Sequence, residues 1–399
     1  MNNSKHTTKK LVDQKLGLVL TAGGARAAYQ AGVLKGISDI LRPNVEVSPY
    51  KILTGISAGA INVAYLATYA ERFHHAADEC FRLWKELKPE SILKVDFLTN
   101  GRLSAKWFRD LSMGELYTGK RMSYLLDTTP LREMAVKYLN FESIKKNIAN
   151  GTLHGLGFSA TNYKTGTAVT FYDGHPSIKQ WARTSRIGRR VDLNHAHVLS
   201  SASIPVLFEP VQIENCFYGD GAIRLRAPIS PAIHLGSDRI MAIGIRYFRP
   251  EDMTIELNET SEMPDVTVAD ITGVLLNSTF MDSLESDLER LQRINITLRL
   301  IPEEQRKKHP QQLRELPILF IRPSQDLGRL AAHQFHHLPR MLRHLLKGIG
   351  ASDERGWDLL SYLSFDSSYT LPLLELGYSD AISRRSEIEA FFFDEKVSF

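Results

Sequence analysis

Apolar residues in this chain gather in short runs that feed glycine-rich turns, and each turn opens a stretch of helical periodicity. Leu16-Gly17-Leu18-Val19-Leu20 leads into Thr21-Ala22-Gly23-Gly24-Ala25-Arg26, after which Tyr29, Val33, Leu34, Ile37 and Ile40 recur at helical spacing until Pro43. The same order returns at Ile52-Leu53, then Thr54-Gly55-Ile56-Ser57-Ala58-Gly59, then a small-residue helix from Ala60 to about Ala70. Helices are predicted over residues 73–87, 131–139 and 141–148. Strands are predicted at 153–160 and 168–172, joined by the turn Tyr163-Lys164-Thr165-Gly166. Later strands are expected at 240–246, 296–301 and 318–321. Residues 249–265, polar and acidic, read as a long loop, and 266–292 as one long helix.

Strands alternating with helices imply a mostly parallel sheet covered on both faces. The expected fold class is therefore α/β, with a flexible tail at residues 1–15 and a main domain over 16–322. A mainly helical C-terminal extension over 323–399 is expected to follow.

Composition narrows the class without choosing a function. The 399 residues are 43% hydrophobic, 24% charged and 9% aromatic, which excludes disordered, collagen-like and fibrous chains. Lys+Arg 49 against Asp+Glu 45 gives a net charge of +4, too even to point to a nucleic-acid partner. Cys80 and Cys216 cannot form a disulfide scaffold, and no CxxC or Cys/His cluster suggests zinc. The first fifteen residues lack the apolar core of a secretory signal, and no run approaches the roughly 18–20 apolar residues of a membrane span. The expectation is a cytoplasmic protein that meets a membrane only from one side and uses no metal or cofactor.

The candidate nucleophile is Ser57 in Gly55-Ile56-Ser57-Ala58-Gly59, a G-x-S-x-G. By chance such a pentapeptide arises in roughly one chain of this length in ten, so its context has to carry the reading. An apolar strand runs into it and a helix of small residues runs out, which is the sharp turn that exposes a serine hydroxyl. Glycines two residues either side remove Cβ atoms that would clash there. The helix N-terminus beside Ser57 favours developing negative charge.

Acyl transfer also needs donors for an oxyanion. Gly23 and Gly24 precede a helix and offer backbone N–H groups, with Arg26 placed to rigidify the loop or add positive field. A nucleotide-binding G-x-G-x-x-G would require glycine at Ala22 and Ala27. For the base, late histidines at 234, 309, 333, 336, 337 and 344 do not sit in glycine-framed turns. Tyr218-Gly219-Asp220-Gly221-Ala222 does have that form, and a partly buried carboxylate at Asp220 can accept the Ser57 proton. An ordinary Asp-Gly turn is the plain alternative.

Together the three motifs resemble the patatin-like phospholipases, which pair a G-G-G-x-R-G loop, a G-x-S-x-G elbow and a D-G-[AG] turn in that order. The matching segments are LGLVLTAGGARAAYQAGVL from Leu16, GISAGAIN from Gly55 and YGDGA from Tyr218. Ser201-Ala202-Ser203-Ile204-Pro205 and residues 227–245 add to the likeness, which spans 16–246. The resemblance implies a three-layer α/β/α fold and a Ser57–Asp220 dyad without histidine. It assigns the oxyanion hole to Gly23 and Gly24, with Arg26 in support, and makes Gly55, Gly59, Gly221 and Ala222 motif positions. His234 falls on a non-catalytic helix. The family's first and last loop glycines are Ala22 and Ala27 here, so a somewhat different loop shape is expected.

Two segments are candidates for a lipid surface. Residues 179–190 hold five basic residues, Trp181 and no acid. They read either as a patch bordering the site that meets anionic headgroups with Trp181 at the interface, or as a solvated loop or weak nucleic-acid patch. Residues 339–349 form a basic amphipathic helix that either lies on a membrane or packs on its own domain. His333, His336 and His337 have metal-like spacing but no acidic partner in register. The implied function is hydrolysis of carboxylic esters in phospholipids or lysophospholipids through an acyl-enzyme. The rival from another class is a non-catalytic lipid-binding or regulatory protein that keeps the fold.

Overall fold

The computed structural model describes residues 9–94, 124–260, 265–308, 313–332, 334–352 and 354–394. Ten strands among them form one sheet: β1 (Leu16–Leu20), β2 (Tyr50–Ile56), β3 (Gly155–Asn162), β4 (Thr167–Gly174), β5 (Trp181–Arg183), β6 (Arg186–Arg190), β7 (Val211–Ile213), β8 (Cys216–Asp220), β9 (Arg239–Ile243) and β10 (Ile318–Ile321). The order is β10-β9-β1-β2-β3-β4-β6-β5, with β8 on β3 and β7 on β8. From β10 to β3 every neighbour is parallel. β4 and β8 then run antiparallel to β3.

Both faces of the parallel strands are dry, as continuous apolar runs require. Leu18 and Leu20 of β1, with Leu53 and Phe158, face α1 (Ala28–Leu41), α2 (Ala58–Thr68) and α3 (Phe73–Lys85). Val19, Ile52, Ile240 and Ala242 point the other way, against Leu235 and against Leu284, Leu288 and Leu291 of the helix Asp282–Arg299. The molecule is thus an α/β protein in three layers with a mostly parallel centre.

Three expectations need correction. Residues 296–301 alternate like a strand, yet they continue and end the helix Asp282–Arg299. Its buried Leu284, Leu288, Leu291, Asn295 and Leu298 keep helical spacing from upstream, and that longer period wins. The long helix expected over 266–292 is broken at Met281, between Val268–Phe280 and Asp282–Arg299. The expected loop 249–265 contains a helix, Glu251–Thr260.

The described residues between 323 and 394 are mainly helical and share the main core. Tyr369, Leu373, Leu374, Phe391 and Phe392 are fully buried in it. The helix Ser367–Ser383 lies along α1. Backbones approach so closely that a Cβ on Gly32 would overlap the Leu374 carbonyl, and one on Gly377 the Tyr29 carbonyl.

Candidate active site

Ser57 and Asp220 are brought together by one strand. On the edge of β3 away from β4, β2 pairs with Gly155–Ser159 and β8 with Ala160–Asn162. The two flanking strands run toward each other and end there, with Ile56 opposite Ser159 and Asp220 opposite Ala160. The residue after β2 and the last residue of β8 therefore meet at the C-terminal end of the parallel strands, where open α/β sheets place their sites.

Ser57 adopts φ 56°, ψ −129°, a backbone conformation that non-glycine residues avoid. The glycines around it are needed for space. A Cβ on Gly55 would lie 2.5 Å from the Ala60 Cα, and one on Gly59 2.5 Å from the Leu20 carbonyl oxygen.

Asp220 is fully buried. Its Oδ1 accepts the Ala222 N–H at 2.9 Å, while its buried Oδ2 has no hydrogen bond of ordinary geometry. Burial pushes the carboxyl pKa up to about 7; the Ser57 hydroxyl and the Ala222 N–H oppose this and are outweighed. Gly221 and Ala222 form the short turn that Asp220 caps.

In the glycine-rich loop the left-handed conformation falls on Gly24, at φ 54°, where a Cβ would also overlap the Tyr362 carbonyl. Gly23 has φ 173°, outside the left-handed region. Ala27 is right-handed at φ −67°, and Ala22 is not among the residues with positive φ. The two alanines thus stand where alanine fits without strain. Arg26 is buried. Its Nε donates to Ser361 Oγ at 2.7 Å, Nη2 pairs with Asp358 Oδ1 at 2.7 Å, and its guanidinium lies 4.5 Å from the Tyr362 ring centre. It anchors the loop to the helix Trp357–Leu363.

Ser57 and Gly24 line a pocket that is open to solvent, with about 770 Å³ of empty space when the solvent at its mouth is counted. Its wall is apolar: Ile61, Leu83, Leu87, Leu131, Phe208 and Phe365 are representative. The buried amide of Asn62 is occupied internally, accepting from Trp84 Nε1 at 2.8 Å and donating to Gln30 Oε1 at 3.2 Å. Burial lifts the Cys80 thiol in the same wall to about 12, so it stays protonated. None of the described residues lining the cavity is a histidine.

Trp181 and the apolar face of residues 340–348 are both buried in the protein itself. Trp181 is buried, stacked between Tyr172 at 5.0 Å and His234 at 4.7 Å. Gly188 leaves room for its indole, and no residue of 179–190 lines the cavity. His234 is held near pKa 4 by burial and by Arg183 and Arg186. In the helix Arg340–Gly348, Leu342 and Leu346 are buried in the core, so that face packs on its own domain. His333 lies outside the described residues; the His336 and His337 rings are 4.2 Å apart.

A family model for patatin-like phospholipases matches residues 18–233, more than half of the chain. The chain belongs to the patatin-like phospholipases. No curated protein sequence matches this patatin-like chain. Among solved structures it is similar to VipD from Legionella pneumophila, at 12% identity and TM-score 0.30, covering 92% of this chain and 67% of that one. It is also similar to human GIVD cytosolic phospholipase A2, at 12% identity and TM-score 0.39, covering 95% and 60%. The same human enzyme in complex with methyl gamma-linolenyl fluorophosphonate matches at 13% identity and TM-score 0.40, covering 95% and 58%. The patatin-like chain therefore spans about three fifths of the length of the human enzyme chains it matches.

Proposed function

We propose that this chain is a serine lipid acyl hydrolase that cleaves carboxylic esters of phospholipids or lysophospholipids through a Ser57–Asp220 dyad. The observation that carries the reading is a buried carboxylate, raised to about pKa 7, beside a strained serine that opens into an apolar cavity. An ordinary carboxylate is too weak a base to take a serine proton, and a base near pH 7 suits the task better.

The ester carbonyl approaches Ser57 while its acyl chain occupies the apolar cavity. Ser57 Oγ bonds to the carbonyl carbon as its proton passes to Asp220. The carbonyl oxygen gains the negative charge and is held by the backbone N–H groups of Gly23 and Gly24. The carbon–oxygen ester bond then breaks, and Asp220 returns the proton to the departing alcohol. Water, deprotonated by the same carboxylate, attacks the acyl-enzyme and frees the fatty acid and Ser57. Arg26 supports the loop from behind, through Asp358 and Ser361.

Hydrolysis of a lipid panel, read beside a fluorophosphonate label, tests this. Ser57→Ala and Asp220→Asn should each lower turnover at least about a thousandfold, whereas His234→Ala should leave it unchanged. Full activity in Asp220→Asn would remove the dyad. A wild-type chain that binds lipid but takes no label at Ser57 would establish the non-catalytic lipid-binding alternative.

A further inference from the structure

We propose that Ser201 is a positioning residue for the reaction, the side chain that locks the strained backbone of Ser57 in register with Asp220. The inference rests on reading Ser57 and Asp220 as the reacting pair.

Ser201 ends the helix His195–Ser201 and is fully buried. Its Oγ accepts the Ser57 N–H at 2.9 Å and donates to the Ser159 carbonyl at 2.6 Å. Ser159 is the β3 residue paired with Ile56, immediately before the nucleophile. One hydroxyl therefore ties the elbow to the strand beneath it.

Two residues along the same segment, the Ser203 carbonyl accepts the Asp220 N–H at 2.8 Å. Thr161 of β3 holds the other side of that residue, its Oγ1 donating to the Asp220 carbonyl at 2.7 Å. Ser201 to Ser203 thus grips the backbones of both reacting residues. Between and beside them, Ala202 and Ile204 form part of the cavity wall.

The physical need is specific. A serine at φ 56° stays there only when its surroundings over-determine it. Relaxing φ would rotate the Ser57 peptide and break the bond to Ser201. Alanine at 201 would fill most of the volume, but would leave the Ser57 N–H and the Ser159 carbonyl without this link. The Ser57 hydroxyl would then wander relative to Asp220, and misplacement of about 1 Å can cost on the order of a hundredfold in rate.

The test compares Ser201→Ala with Ser200→Ala, measuring kcat, KM, the acid limb of the kcat–pH profile, the rate of fluorophosphonate labelling and Tm. Ser200 is the matched control: it is equally buried, but its hydroxyl donates within its own helix, to the His197 carbonyl at 2.8 Å. Ser201→Ala should lower kcat and the labelling rate roughly ten- to a hundredfold, with KM within about twofold. Its acid limb should move to higher pH, because a displaced Ser57 hydroxyl no longer favours the ionised carboxyl. Ser200→Ala should lower Tm while leaving kcat and the limb in place.

Wild-type kcat, labelling and limb in a folded Ser201→Ala would overturn the proposal, as would an equal loss in both variants. If Ser201→Ala does not fold, Ser201→Cys keeps a weak acceptor at the γ position. An intermediate kcat with a shifted limb supports the role, and wild-type values overturn it. A wild-type chain inert to both label and lipid would instead sink the hydrolase reading, and this proposal with it.

Discussion

A carboxyl group with no exposed surface is costly to ionise, and Asp220 carries that cost at the C-terminal end of the parallel strands. Its folded-state pKa of about 7 lies above the ordinary value of 3.8. The folded chain therefore holds this proton more tightly than the unfolded chain between those values. Stability from this group is complete below about pH 4, is lost as pH rises toward 7, and stays lost above it. The difference amounts to on the order of 4 kcal/mol. Asp220→Asn, which cannot ionise, should raise Tm relative to wild type at pH 8 by far more than at pH 5. Under the proposed dyad activity has the opposite dependence, because only the ionised carboxylate accepts a proton: kcat should climb through an acid limb near pH 7. A flat profile from pH 5 to pH 8, or equal Tm differences at both pH values, would show that Asp220 is not raised.

At the level of elements, the elbow and the glycine-rich loop were readable because each needs glycine for a stated steric reason. The close crossing of α1 with the helix Ser367–Ser383 was not readable, since Gly32 and Gly377 are scattered in sequence and become partners only in space. A methyl group at Gly377 would meet the Tyr29 carbonyl, which is backbone and cannot swing aside. Gly377→Ala should therefore destabilise the fold by roughly 1–3 kcal/mol, seen as a lower urea midpoint with an unchanged slope. The misread strand at 296–301 has a related cause. Period-two alternation over a few residues was local, while the buried leucines of the helix Asp282–Arg299 extend the longer period across it.

At the level of the whole molecule, the C-terminal helices complete the hydrophobic core of the main domain. They bury Tyr369, Phe391 and Phe392 in the main core and supply Asp358 and Ser361 to Arg26 of the glycine-rich loop. A chain ended after Gly356 should fail to give a cooperative thermal transition and should take no fluorophosphonate label. Cooperative unfolding of that shortened chain would show that the helices are dispensable. No helix among the described residues is long and apolar enough to cross a membrane.

The nucleophile, base and donor candidates stood in the linear order of residues, because a serine elbow, an Asp-Gly turn and paired glycines are each short-range solutions to local strain. The alternation of strands and helices was legible for the same reason, since period is a local property. Three features required the assembled chain. The meeting of β2 and β8 on one edge of β3 depends on β3 pairing with one strand about a hundred residues before it and another about sixty after it. The raised pKa of Asp220 depends on complete desolvation, which no flanking residue predicts. Ser201 was visible only as part of a familiar segment. Its role emerged when folding set its hydroxyl between the Ser57 amide and the Ser159 carbonyl.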